Sequence, residues 1–375
     1  FGCVGLRNKN YHIFNQSYSR EEYDKKIKEL FAGEFWRIAG IESKVREIYL
    51  GLPRRYMHGR QNANVSGDYI YNSKDVKNSF IVTEARNCRY LMWNVVPPVK
   101  DSWDYTEWGD KAEEIYESIS VGSQVSRVKF SVQTLENCMN VEYSYRCRGV
   151  QNIFGCSAVR KKSYCILNKQ YSKEEYETLV PKIKKHMDEM PYTDSNGKIY
   201  KYGEFFPPDL SPFSYNQSSA QEFFPLEEAQ IKNSGFEYKE VAEKNYTPTK
   251  KRGSLPDSIE DVPDEFVNEI IECYNSGSNE AKKQNCTKAF RVTVNELNFY
   301  KKHNIPLPRK CPNCRHFNRI QRRNPVTLWH RSCMCQLQNH PTHTGTNCPN
   351  EFETSYEPSR PEIVFCEKCY QQEIF

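Results

Sequence analysis

The sequence predicts a mainly β protein with helical insertions, in which a parallel β-solenoid-like repeat region is followed by two small four-cysteine ribbons. Three observations predict it. A segment recurs at long range, short polar-small-aromatic units repeat between its two copies, and cysteines gather in Cys-x2-Cys pairs toward the carboxyl end. The 375 residues carry a net charge of only +5, yet aromatics reach 13% of the chain. So many rings argue for a packed fold despite a mean hydropathy of -0.82. Apolar runs such as Tyr90-Leu91-Met92-Trp93 are too short to span a bilayer as a helix, so no membrane partner is expected.

The long-range repeat comes first in chain order. Phe1–Ile27 reads FGCVGLRNKNYHIFNQSYSREEYDKKI, and Phe154–Val180 reads FGCSAVRKKSYCILNKQYSKEEYETLV, with 13 of 27 positions identical. Each copy runs from a β-like stretch into Ser-x-Glu-Glu-Tyr. Ser19 and Ser172 are suited to cap a helix whose first-turn glutamates favour the positive end of its dipole. Each copy therefore reads as a final strand followed by a capping helix. The first copy has nothing before it to cap, which leads one to expect repeat units upstream of Phe1. Residues 1–60 are assigned to the end of such a unit plus a helical insert, and 61–190 to a repeat unit with its own capping helix.

Within 61–190, Asn78-Ser79-Phe80, Asn87-Cys88-Arg89-Tyr90, Asp101-Ser102-Trp103 and Glu114-Ile115-Tyr116 begin a weaker periodicity. Two such units span about 23 residues, a rung length suited to a parallel solenoid with Ser, Cys and Val inward and rings outward. Cys3, Cys88, Cys138, Cys147, Cys156 and Cys165 lack knuckle spacing and read as small inward residues. His12 stands where the second copy has Cys165. Residues 191–265 are rich in Pro, Ser and charge and read as an extended linker laying its aromatics on the preceding domain.

The cysteines beyond residue 265 carry the chemistry. Cys273-x12-Cys286 precedes Cys311-x2-Cys314, and Cys335-x12-Cys348 precedes Cys366-x2-Cys369. Four thiolates close a tetrahedral site with no position left for water, so two structural Zn2+ ions are expected, in ribbons spanning 266–318 and 319–375. Cys333 lies two residues from Cys335, and either serves as the fourth ligand of the second site. Fifteen cysteines with such pairs favour metal binding in a reducing, cytoplasmic setting over a disulfide framework.

Cys286-Thr-Lys-Ala-Phe290, Glu296-Leu-Asn-Phe-Tyr300 and Pro306-Leu-Pro-Arg-Lys-Cys311-Pro-Asn-Cys314-Arg315 together resemble a family of zinc-ribbon domains. Cys348-x17-Cys366-x2-Cys369, with Phe352, Tyr356, Arg360-Pro361 and Val364 between, is similar to a second small zinc-finger family. Both depart from the pattern where an expected Cys-x2-Cys is opened into the longer loop. Taken whole, the chain resembles an uncharacterised family of Cys-, Tyr- and Asn-rich bacterial proteins. Solenoid-like repeats closing in Phe-Gly-Cys, a Glu-Phe-Phe-Pro linker (204–207) and terminal zinc ribbons carry that resemblance. It implies architecture rather than an activity.

Between the two cysteine sets, Arg309, Lys310, Arg315, Arg319, Arg322, Arg323 and Arg331 fall within 23 positions, interleaved with Phe317 and Trp329. Cations beside stacking rings suit RNA or single-stranded DNA, so nucleic acid is the first expected partner. The bland reading has these arginines bridging through carboxylates such as Glu296, Glu351 or Glu367. The alternative function is a protein-binding scaffold using a tyrosine-rich solenoid face. A carbohydrate-active β-helix enzyme ranks third. Asp101, Asp104 and Glu107 are near one another but turn-like, and no phosphate-cradling glycine loop, Gly-x-Ser-x-Gly elbow or His-Glu-x-x-His helix is present.

Overall fold

The computed structural model describes residues 1–30, 33–240, 246–337, 340–341 and 343–374. Its centre is a parallel β-solenoid of about eight turns. Ile115 stacks on Val128, Val128 on Val141, Val141 on Ile153 and Ile153 on Cys165. Partners elsewhere lie as far apart as Leu91 and Tyr105. A rung is therefore 11 to 14 residues, from Gly59 on Ile70 to Leu91 on Tyr105, about half the length read from the sequence. From Arg89 through Trp103 to Tyr116 the polar-small-aromatic units recur once per turn, whereas the first two units, at 78–80 and 87–90, lie on one rung.

The tight coil follows from a period of three. Tyr69, Asn72, Asp75, Asn78, Ile81, Glu84, Asn87, Tyr90 and Trp93 all hold φ between 48° and 60°. Each is followed by a buried residue: Ile70, Ser73, Val76, Ser79, Val82, Ala85, Cys88, Leu91 and Asn94. The chain thus takes one left-handed corner per three residues, and four short sides close a turn. Asn and Asp tolerate that conformation, whereas Tyr, Trp and Ile ordinarily do not. Parallel hydrogen bonds from the rungs above and below hold them there.

So narrow an interior admits mainly small side chains, and its serines are part of the backbone network. Ser118, Ser131 and Ser144 each donate to the carbonyl two residues earlier, on Tyr116, Lys129 and Glu142. In the same column Ser131 N–H donates to Ser118 Oγ, Ser144 N–H to Ser131 Oγ and Cys156 N–H to Ser144 Oγ. Cys156 takes the next place, accepting from Asn168 N–H at 3.4 Å. The cysteines of the coil are inward rung residues, with Cys88, Cys138, Cys147, Cys156 and Cys165 all buried. On one outer corner, Asn140 Nδ2 donates to Asn152 Oδ1 at 2.7 Å and Arg127 Nε donates to Asn140 Oδ1 at 2.5 Å.

The helix Lys173–Glu189 closes the carboxyl end of the coil. Ser172 and Glu175 form a reciprocal capping box, and Val180 packs with Phe154 and Ile166. The first copy repeats this last rung bond for bond. Phe14 N–H reaches Phe1 O as Leu167 N–H reaches Phe154 O. Asn15 N–H reaches Cys3 Sγ at 3.4 Å, and Glu22 N–H reaches Ser19 Oγ at 3.2 Å as Glu175 N–H reaches Ser172 Oγ. Helices Arg20–Leu30 and Phe35–Leu50 follow.

Beyond residue 190 the chain returns along the coil. The ring of Phe206 lies edge-on to Tyr143 at 5.8 Å, and that of Phe223 edge-on to Trp93 at 4.4 Å. This stretch is not uniformly extended, because it includes the hairpin Tyr192–Thr193 with Ile199–Tyr200 and the helix Glu228–Asn233. The last segment reaches the opposite end of the coil. Val364–Phe365 pairs in parallel with Arg54–Arg55, the Tyr56 ring lies tilted against Phe352 at 4.9 Å, and Ser355 Oγ donates to the buried Asp68 carboxylate at 2.5 Å. Arg55 binds both oxygens of Glu367.

Candidate metal centres

Two modules of one plan follow the coil. In the first, strand Ile271–Glu272 runs into Cys273, a loop leads to Cys286, and strand Ala289–Phe290 completes a hairpin. In the second, strand Trp329–Ser332 runs into Cys333, a longer loop leads to Cys348, and strand Glu351–Thr354 returns. Each module then supplies a Cys-x2-Cys pair at the start of a helix, Pro312–Ile320 after Cys311 and Glu367–Ile374 after Cys366. Unpaired N–H groups and the positive dipole end favour thiolates there. Pro312 fits the first turn because its missing N–H would have had no helical partner.

The sulfurs of Cys273, Cys286, Cys311 and Cys314 converge within 4.8 Å of one another, as do those of Cys333, Cys348, Cys366 and Cys369. Cys273 Sγ lies 3.8 Å from Cys314 Sγ, and Cys311 Sγ lies 3.8 Å from Cys286 Sγ. In the second group Cys348 Sγ and Cys366 Sγ are 3.9 Å apart. A tetrahedron with metal–sulfur bonds of about 2.3 Å has edges of about 3.8 Å. Cystines would need about 2.05 Å, and all fifteen cysteines are free.

The sequence left the choice between Cys333 and Cys335 open, and the structure puts Cys333 in the four-sulfur group. Cys311 N–H donates to Cys273 Sγ at 3.2 Å, and Cys366 N–H donates to Cys333 Sγ at 3.2 Å. Cys333 is thus the counterpart of Cys273, and the matching x12 loops were a coincidence of Cys335. Cys335 instead joins His340, His343 and Cys369 in a third group, also within 4.8 Å. The sequence reading missed both histidines.

Without metal these thiols differ: hydrogen bonds from Cys273 and Cys314 hold the Cys311 thiol below its ordinary value, and at Cys366 hydrogen bonds from Cys369 and Asn350 outweigh the burial that raises it. Burial pushes the Cys286 thiol up to about 12 and the Cys333 thiol up to about 11. A metal therefore displaces protons on entry, and the arrangement can hold an ion firmly without offering it an open position. Amide donors complete the surroundings, with Lys288 N–H on Cys286 Sγ and Asn350 Nδ2 on Cys366 Sγ, both at 3.4 Å.

The basic residues singled out in the sequence are spread over internal contacts. Arg309 is buried, lies 4.7 Å from the Phe35 ring centre and donates to Pro256 O. Arg315 reaches Glu296 and Tyr300. Arg322 faces Glu42 at 3.3 Å, Arg323 covers the Phe223 ring at 4.0 Å, and Arg331 donates to Tyr356 O and Glu357 O. Lys310 and Trp329 are half-buried, Phe317 lies against His316, and Arg319 is exposed. No helix among the described residues is long and apolar enough to cross a membrane.

No protein-family model matches the chain, and no curated protein matches it. Geometry alone carries the functional argument.

Proposed function

We propose that this protein is a non-catalytic binding scaffold, its tail held in shape by structural zinc and its coil presenting aromatic side chains to a protein partner. One observation carries the reading: the four-sulfur groups have the edge lengths of a zinc tetrahedron with every position filled by thiolate. Zinc is preferred over calcium or magnesium because the donors are soft, and over iron because a framework role needs no electron transfer. Fifteen free thiols suit a reducing compartment such as the cytoplasm.

Support for the partner class comes from the coil surface. Tyr90, Tyr69 and Tyr145 are 51%, 45% and 45% exposed, and tyrosine gives contact area at low entropic cost. The test is capture of protein partners by the zinc-loaded full chain. Binding that withstands moderate salt and falls on Tyr145→Ala supports the scaffold, whereas loss of all binding at moderate salt rejects it.

A second reading rests on a different surface from the arginines above. Lys74, Arg86 and Lys100 stack on successive rungs and are all exposed, with Arg89 beside them. Such a stripe suits a phosphate backbone. Replacing the three by alanine should lower the salt slope of single-stranded RNA binding by about two. An unchanged slope rejects this surface.

A further inference from the structure

We infer that the second module holds a pair of metal ions, joined by the Cys369 thiolate as a bridge. This rests on the reading that the four-sulfur groups bind zinc, and adds a site to it. Cys369 belongs at once to the group with Cys333, Cys348 and Cys366 and to the group with Cys335, His340 and His343. All of these side chains are buried, Cys335 and Cys369 completely. One sulfur within reach of both sets serves both ions, because a thiolate carries lone pairs enough for two.

The imidazole geometry supports the second ion. His343 Nε2 lies 3.5 Å from Cys335 Sγ, against about 3.6 Å for a nitrogen–sulfur edge of a zinc tetrahedron. Its other nitrogen, Nδ1, stands 2.8 Å from Gly345 O. Donation there fixes the tautomer that leaves the Nε2 lone pair facing the sulfur, the arrangement of a ligating histidine with an outer acceptor. The His340 and His343 rings lie nearly parallel, 4.9 Å apart at 16°, and the Glu373 carboxylate flanks His340 at 3.6 Å.

The two modules provide an internal comparison. The first module's loop, 274–285, has neither cysteine nor histidine, whereas the second module's loop, 334–347, carries Cys335, His340 and His343. A shared plan with one ion thus gains a second where the longer loop adds three donors. Charge favours it as well. Five thiolates and two neutral imidazoles around two Zn2+ ions leave about −1, against about −2 for an isolated four-thiolate ion, so the pair buries less charge per metal.

The test is metal analysis of the purified full chain with its variants, together with 113Cd NMR of the cadmium-exchanged protein. We expect about three zinc ions per chain, about two in His343→Ala and in Cys335→Ser, and about one in Cys369→Ser. Two of the three cadmium resonances should split each other through the shared sulfur, while the ion held by Cys273, Cys286, Cys311 and Cys314 stays a singlet. The wild-type splitting does not depend on any variant folding. About two ions in wild type, unchanged in His343→Ala, would overturn the bridged pair and leave the four-sulfur reading standing. A metal-free wild-type chain would overturn both. Three uncoupled resonances would overturn the bridge.

Discussion

Ser131 condenses the logic of the coil into one side chain, giving its proton to Lys129 O and accepting one from Ser144 N–H. Ser131→Ala leaves a buried amide without its acceptor and should cost about 2 kcal/mol in urea unfolding. Ser131→Cys should cost less, because Cys156 already fills that role two steps further along the same column. Such inward serines and cysteines were legible in the sequence as small residues at regular intervals. The period of three was not, because corners at Ile81, Tyr90 and Trp93 use residues that turn preferences do not select. Titration has its own residue-scale consequence at Glu362. Burial raises its pKa, but the hydrogen bond and charge of Arg360, 2.7 Å away, outweigh burial and hold it below the ordinary carboxylate value. The pair's stabilisation is present above the unfolded carboxylate's pKa and lost as pH falls through the folded one. Glu362→Gln should therefore be less stable than wild type at neutral pH, and the gap should close in acid when unfolding is followed against pH.

At the scale of elements, the two modules differ in their cores: the first buries Ile259, Phe266, Ile271, Leu297 and Leu307 beside its cysteines, whereas the apolar cluster of the second holds little beyond its cysteines and Phe365. Cys311→Ser should release about one zinc and loosen the first module. The structure extends that effect to the helix Phe35–Leu50, whose entry is fastened by Phe35 N–H on Asp257 O and Arg309 over Phe35. Hydrogen exchange should rise in 250–320 and in 33–40, with the coil between Val76 and Cys165 still protected. The knuckles at Cys311 and Cys366 could be read directly from their spacing. The partner of the second knuckle could not, since Cys333 and Cys335 differ only in which one follows directly on the hairpin strand. His340 and His343 carried a signal too, as two histidines three residues apart in a cysteine-bounded loop.

Across the whole molecule, the coil runs between a helix at its carboxyl end and the second metal module at its amino end. Solenoid, duplication and cysteine sets were all visible in the chain. The return of the tail to Arg54–Arg55 was not, because two short strands far apart in sequence carry no pattern that names each other. Ile115→Ala in mid-coil, where the side chain is fully buried, should cost about 3 kcal/mol. Because rungs lean chiefly on their neighbours, its damage in hydrogen exchange should be greatest near Ile115 and fade outward.

The pairing of Val364–Phe365 with Arg54–Arg55 sits directly before Cys366, so the segment that would hold metal also fastens the tail at the amino end of the coil. Stripping the ions with a chelator should free the Arg54 and Tyr56 amides from Ile363 O and Phe365 O, and unpaired backbone at this end is an invitation to end-on stacking of one molecule upon another. Sedimentation should then show assemblies that dissolve when zinc is restored before they mature, making metal supply the guard against fibre growth. A chelated chain that stays monomeric would show that the tail stays fastened without help from the ions.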